Sequence, residues 1–314
     1  MAARGADLEH LLHEAHIPND FSEFRAHAGA MNPIDDLARQ LSPFLRDTAR
    51  EAGAIASGFF RSGLKTSARI WSKGGGSPVT EADMAVDAFL KMRLSTAVPD
   101  AGWLSEETAD DPARLDRDLV WIVDPIDGTR AFLAGNHDWS VSIALLGRGQ
   151  PVLGIVYAPA HKALYEARRG HGARRDGEPL EASPMKRLAG LSVAGPKGLV
   201  DRLEERVGTL KRPPRIPSLA LRLARVAEGS VDTGLVSSNA CDWDIAAGDL
   251  ILEEAGGVLT RLDGARPAYN QADPVHGELL AAPRQLHPRL VEAMTGARPK
   301  GATEARLGIG RGGS

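Results

Sequence analysis

Two periods of apolar side chains run along this chain. In NPIDDLARQLSPFLRDTAREAGAIASGFFR, Ile34, Leu37, Leu41, Phe44 and Leu45 recur three or four residues apart, as on one face of a helix, after an Asn/Asp-rich start. SPVTEADMAVDAFLKMRLSTA is a second amphipathic helix, entered through Ser77, Pro78 and Thr80, with Asp83 in its first turn. Short β-branched and aromatic runs follow: LVWIV, SVSIALL, PVLGIVYAP and ALYEARR, parted by Gly and Pro turns. They predict a mostly antiparallel sheet with helices on one face. From about residue 190 the rhythm becomes strand–helix, through LSVAG, a charged helix, SLALRLARVAEG, DTGLV, DWDIAAGDLILEEAGG and VLTRL. The architecture expected is α+β followed by α/β.

The divisions that follow are a flexible extension over residues 1–30, an α+β subdomain over 31–188, an α/β subdomain over 189–295 and a disordered Gly-rich tail over 296–314. The 314 residues are 43% hydrophobic and 25% charged, with a formal net charge of −3, an ordinary globular balance. That charge provides no electrostatic attraction for nucleic acid or a membrane surface. No apolar run approaches the roughly 18–20 residues of a membrane span, and the amino terminus lacks the apolar core of a signal peptide. The single cysteine, Cys241, excludes an internal disulfide. A cytoplasmic location is expected.

Candidate chemistry lies in three acidic groups. Asp124 and Asp127 bracket Pro125 and Ile126 where the buried run Leu119–Val123 stops, with Pro125 expected to end the strand and Gly128-Thr129 to open a helix. Glu106 and Glu107 lie in GWLSEET beside Asp110 and Asp111, and Asp242 and Asp244 flank Trp243. Taken singly, the second group reads as a solvated loop and Asp244 as a helix N-cap. Two carboxylates on one rigid turn, however, repel unless a cation lies between them. Carboxylate and carbonyl oxygens suit a hard ion, Mg²⁺ above all, and the chain offers no Cys pair or His-x-x-x-His spacing for zinc. The free N–H groups expected at Gly128-Thr129 add an anion site. Together these point to attack of a metal-activated water on a phosphate monoester.

WIVDPIDGTRAF, the upstream SEE and the downstream CDWDIAAGDLILEEAGG, in this order, resemble the inositol monophosphatase superfamily of Mg²⁺-dependent, lithium-sensitive phosphatases. The resemblance runs from about residue 35 to 290 and extends to the segment Lys73–Asp83, similar to the superfamily's N-terminal loop and following helix. It implies an alternating layered α/β sandwich of the inositol monophosphatase / fructose-1,6-bisphosphatase type. It also implies two or three Mg²⁺ ions held by Glu106, Asp124, Asp127, Asp244 and the carbonyl of Ile126. Thr129, paired with Glu106, would position and deprotonate the water, with Asp83 part of the base system. Gly128 and Thr129 amides would hold the phosphate, Asp244 and Ser218 would face the substrate, and Glu107 would support the ligands.

The expected substrate is a small phosphorylated metabolite, and a homodimer is expected from the family's habit. The Ala-Pro ending of PVLGIVYAP and the sequence SPVTEAD resemble the 3′(2′),5′-bisphosphate nucleotidases, which convert adenosine 3′,5′-bisphosphate to AMP. TGLVSSNAC lacks the acidic residue that inositol monophosphatases place before the W-D motif. Against this, Arg130-Ala131-Phe132 is closer to histidinol-phosphatases, and Lys197 reads either as a contact for a second phosphate or as a surface lysine. Inositol-1-monophosphatase and histidinol-phosphatase are the alternatives, and a catalytically silent binding protein is the alternative outside enzymes.

Overall fold

The computed structural model describes residues 33–72, 78–185 and 187–296. The readings of residues 1–30, of 73–77 and of the tail beyond 296 lie outside them. The first amphipathic stretch is helix α1 (Pro33–Phe59), which buries Ala38, Leu41, Leu45, Ala49, Ala52 and Ala56 along one face. A two-stranded ribbon, β1 (Ile70–Ser72) with β2 (Pro78–Thr80), leads into α2 (Glu81–Ala97). Thr80 caps α2: its hydroxyl accepts from the amides of Ala82 and Asp83, while Asp83 accepts from the Thr80 amide.

Seven strands then form the larger sheet in chain order: β3 (Gly102–Ser105), β4 (Leu119–Asp127), β5 (Ser140–Gly147), β6 (Gln150–Ala158), β7 (Ala163–Arg168), β8 (Ala173–Arg175) and β9 (Glu178–Pro179). One turn of helix, α3 (Thr129–Leu133), joins β4 to β5. Of these seven described strands, only β3 and β4 run parallel. The strands' period of two distributes side chains between two cores. Trp121, Val123, Ile143, Leu145 and Ile155 pack with α1 and α2. Ile122, Ala144, Leu146, Val156 and Tyr165 pack on the opposite side with α5 (Leu219–Ala227) and α6 (Asp242–Glu254).

Helices on one face were expected, and helices cover both. The reason lies in the strands: every residue of β5 is buried, so neither face can be left to water. A smaller sheet lies beyond α5 and α6, ordered β10 (Val193–Ala194), β11 (Thr233–Val236), β15 (Leu279–Pro283), β13 (Gly257–Arg261), with β10 and β11 parallel and the other pairs antiparallel. Its outer face is covered by α4 (Lys197–Val207) and α7 (His287–Thr295) through Leu199, Leu203, Leu290 and Met294. The short β12 (Ala240–Cys241) pairs with β14 (Val275–His276) at the entry to α6. The result is the expected layered sandwich, helix–sheet–helix–sheet–helix. The central helices pack closely at Gly248, where a Cβ would lie 2.8 Å from that of Leu223. No helix among the described residues is long and apolar enough to cross a membrane.

Candidate active site

Pro125 does not end its strand. β4 continues to Asp127, with Asp124 opposite Ser142 and Asp127 opposite Ser140, three steps on one strand against two on the other. This is a β-bulge. In a regular strand residues three apart face opposite sides, so the extra residue brings both aspartates to one side. Proline has no N–H to lose from the interrupted ladder, and the Ile126 amide donates to Asp124 Oδ1 at 3.0 Å. Gly128 follows with φ 87°, and a Cβ there would lie 3.1 Å from the Ser218 amide nitrogen and 3.2 Å from the Asp138 carbonyl oxygen. A side chain would crowd this backbone as well as strain the turn.

The third carboxylate comes from the other half of the chain. Asp244 is not the N-cap of α6; Cys241 is, and the Cys241 amide donates to Asp244 Oδ2 at 2.6 Å from three residues before it. Carboxylate oxygens of Asp124, Asp127 and Asp244 lie within 4.8 Å of one another. Asp127 Oδ2 accepts from Ser218 Oγ and from the Ala220 amide, both at 2.6 Å. Ser218 is fully buried, caps α5 through the Leu221 amide at 3.0 Å and contacts Ser140 Oγ at 2.9 Å. Its hydroxyl, expected to face substrate, is thus committed to orienting a carboxylate.

Thr129 opens α3, and its hydroxyl lies 3.1 Å from the Ile126 carbonyl oxygen and 3.5 Å from Asp83 Oδ1. Glu106 sits on the turn after β3, half-buried, its amide bonded to the Val123 carbonyl beside Asp124. It stands outside the close trio, yet its charge acts on both Asp124 and Asp244. Glu107 is half-buried, its amide donating to Ser105 Oγ. The remaining acids have structural roles: Asp110 pairs with buried Arg114, Asp111 caps the 3₁₀ turn Pro112–Asp116, and Asp242 is held by His276 at 2.7 Å and the Asn270 amide at 2.8 Å.

Comparison with known proteins agrees with this geometry. The family model described as the inositol monophosphatase family matches residues 38–297. The chain belongs to this family. It is 35% identical to the inositol-1-monophosphatase of Mesorhizobium japonicum, over 65% of this chain and 80% of that protein. It is 34% identical to the 3′-phosphoadenosine 5′-phosphate phosphatase of Mycobacterium bovis, over 68% and 81% respectively. Among solved structures, the extragenic suppressor protein suhB of Bartonella henselae superposes with a TM-score of 0.71 at 29% identity, covering 82% of this chain and 98% of the other. As an inositol monophosphatase family member, this protein is a phosphoric monoester hydrolase.

The family's dependence on Mg²⁺ fits the donor set: three carboxylates, all hard oxygens, on rigid elements. Burial, then the charges of Glu106, Asp127, Asp244 and Asp83, push the Asp124 carboxyl well above the usual range. Burial and then Asp127 do the same to Asp244. Asp127 rises only to about 6, because Ser218 and the Ala220 and Leu219 amides offset its burial. A divalent cation is the counter-charge such a trio calls for.

A cavity of about 730 Å³ opens beside Asp127 and Asp244. Among the described residues those two are the only acids on its wall, which Lys197, Arg212, Arg215 and Arg222 also line. Lys197 is exposed and paired with Asp201 at 2.6 Å, and Arg212 is paired with Asp201 and Glu204. Arg222 is buried and donates to the carbonyls of Ile216 and Leu235. Arg215 is exposed and forms no ion pair among the described residues. Sequence reasoning missed Ser140 and Arg222, and also Asp87, which accepts from the Ser105 and Thr108 hydroxyls on either side of Glu106 and Glu107. A charged residue within the apolar helical face of SLALRLARVAEG, at Arg222, was the legible signal for one of them.

Proposed function

We propose that this phosphatase hydrolyses a phosphomonoester bearing a second anionic group, with adenosine 3′,5′-bisphosphate as its substrate and AMP and phosphate as products. The observation that carries this reading is the cavity. One end holds the metal-binding carboxylates. The remainder has no acid among the described residues and contains Arg215, a guanidinium with no carboxylate partner among them. Ser237, Ser238 and Asn239 line its wall and bring no carboxylate, the acceptor that the hydroxyls of an inositol ring would want. A charge-assisted hydrogen bond to a second phosphate contributes about 1.5–3 kcal/mol, which uncharged ring hydroxyls do not recover. The likeness to a 3′-phosphoadenosine 5′-phosphate phosphatase supports the same substrate class.

In this reading Asp124, Asp127, Asp244, Glu106 and the Ile126 carbonyl hold Mg²⁺. When bound, the ion supplies Lewis-acid charge for the phosphoryl oxygens and lowers the pKa of water. The Thr129 hydroxyl, 3.1 Å from the Ile126 carbonyl oxygen and 3.5 Å from Asp83 Oδ1, would turn its single proton to Asp83 in the reacting complex, which leaves its lone pairs free to accept a hydrogen bond from the attacking water. Glu106 would help orient that water. The Gly128 and Thr129 amides, at the start of α3, face the phosphate. Side-by-side kcat/KM measurements on adenosine 3′,5′-bisphosphate, inositol-1-phosphate and histidinol phosphate test the assignment. A preference for inositol-1-phosphate would overturn it.

A further inference from the structure

Helix α2 carries a second buried carboxylate one turn beyond Asp83. Asp87 lies four residues on, hence on the same helical face, and is only 6% exposed. Both its oxygens are taken: Oδ1 accepts from Ser105 Oγ and Oδ2 from Thr108 Oγ1, each at 2.5 Å. Those hydroxyls bracket Glu106 and Glu107. No Arg or Lys lies within ion-pair distance of Asp87 among the described residues. A buried carboxylate held by neutral hydroxyls alone is a costly way to join a helix to a loop, since an apolar contact would do so without desolvating a charge.

We propose that Asp87 is a positioning residue that sets the Glu106 segment in register with the metal-binding aspartates. The proposal rests on the metal-site reading above. Glu106 is the one carboxylate of that site outside the close trio, on a turn after β3 rather than within a strand or helix. Its backbone is fixed on one side by the bond from its amide to Val123. On the other side Asp87 fixes Ser105 and Thr108, and Ser105 in turn accepts from the Glu107 amide at 3.3 Å. One rigid helix therefore sets two relationships: Asp83 to Thr129, and Asp87 to the Glu106 turn. Asp87 has both oxygens engaged by these hydroxyls, so its action is through Glu106.

Calorimetric titration of Mg²⁺ into substrate-free protein tests this, with kcat and KM on adenosine 3′,5′-bisphosphate alongside. Loss of a group that orients a metal ligand weakens metal binding by about 10–100-fold. Asp87→Ala is therefore expected to weaken Mg²⁺ binding about tenfold or more and to lower kcat with KM within about twofold. Asp87→Asn, which retains one acceptor oxygen, recovers part of both. Thr108→Val, which removes a single bond, weakens Mg²⁺ binding about threefold and carries the test should Asp87→Ala fail to fold. Mg²⁺ affinities within twofold of the wild type in these variants would overturn the proposal, even with a lowered Tm, because Asp87 would then be a packing contact alone. Absence of Mg²⁺ binding by the wild type would instead overturn the metal-site reading itself.

Discussion

Replacing Asp127 by asparagine should make the metal-free protein more stable while removing its catalysis. Asp127 is buried and its carboxyl rises from the ordinary 3.8 to about 6 in the folded protein. A carboxyl with a raised folded pKa binds its proton more tightly when folded, so its ionisation costs stability. The cost is absent below pH 3.8, grows between about pH 4 and 6, and is complete above that. At 1.36 kcal/mol per pKa unit it amounts to about 3 kcal/mol. The substituted amide would retain an oxygen to accept from Ser218 and Ala220, and its NH₂ would donate toward the neighbouring carboxylates. In EDTA at pH 8 the Asp127→Asn variant's Tm should exceed the wild type's by roughly 4–5 °C, because an unfolding entropy of about 2 cal/mol/K per residue over a chain of this length converts 1 kcal/mol into about 1.5 °C. That advantage should disappear by about pH 4, and the Mg²⁺-induced rise in Tm should be lost with turnover. Thermal melts over pH 4–8, with and without Mg²⁺, provide the comparison. A metal-free Tm at pH 8 equal to or below the wild type's would refute the electrostatic account of the site.

Two further outcomes are expected. Thr129→Ala should lower kcat about 10²-fold with little change in KM, as for a hydroxyl acting in proton transfer; steady-state kinetics showing a raised KM at constant kcat would make Thr129 a phosphate contact only. Gly248→Ala should cost about 1–3 kcal/mol by overpacking, because the new methyl meets Leu223 at 2.8 Å. Denaturant unfolding measures this, and an unchanged midpoint would show that α5 and α6 can separate freely.

The local pattern of the sequence determined the elements. Helical spacing marked α1, Pro78 and Thr80 with Asp83 in the first turn marked the start of α2, and β-branched runs marked the central strands, because these depend on neighbours within a few residues. The chemistry was also local in kind: two aspartates around Pro125, joined by Glu106 and Asp244, already asked for a hard cation. Where helices would lie was not local. Strands apolar on both sides need cover on both, and only the assembled sheet showed α5 and α6 supplying the second cover. The bulge that turns Asp124 and Asp127 to one side depends on register against β5, which no run of residues in β4 encodes. The distance from Asp127 to Asp244 and the burial of Asp87 under the Glu106 turn depend likewise on packing between residues far apart in the chain. Sequence periodicity determines which face of an element is apolar; which charged groups meet behind that face is decided only when the layers close.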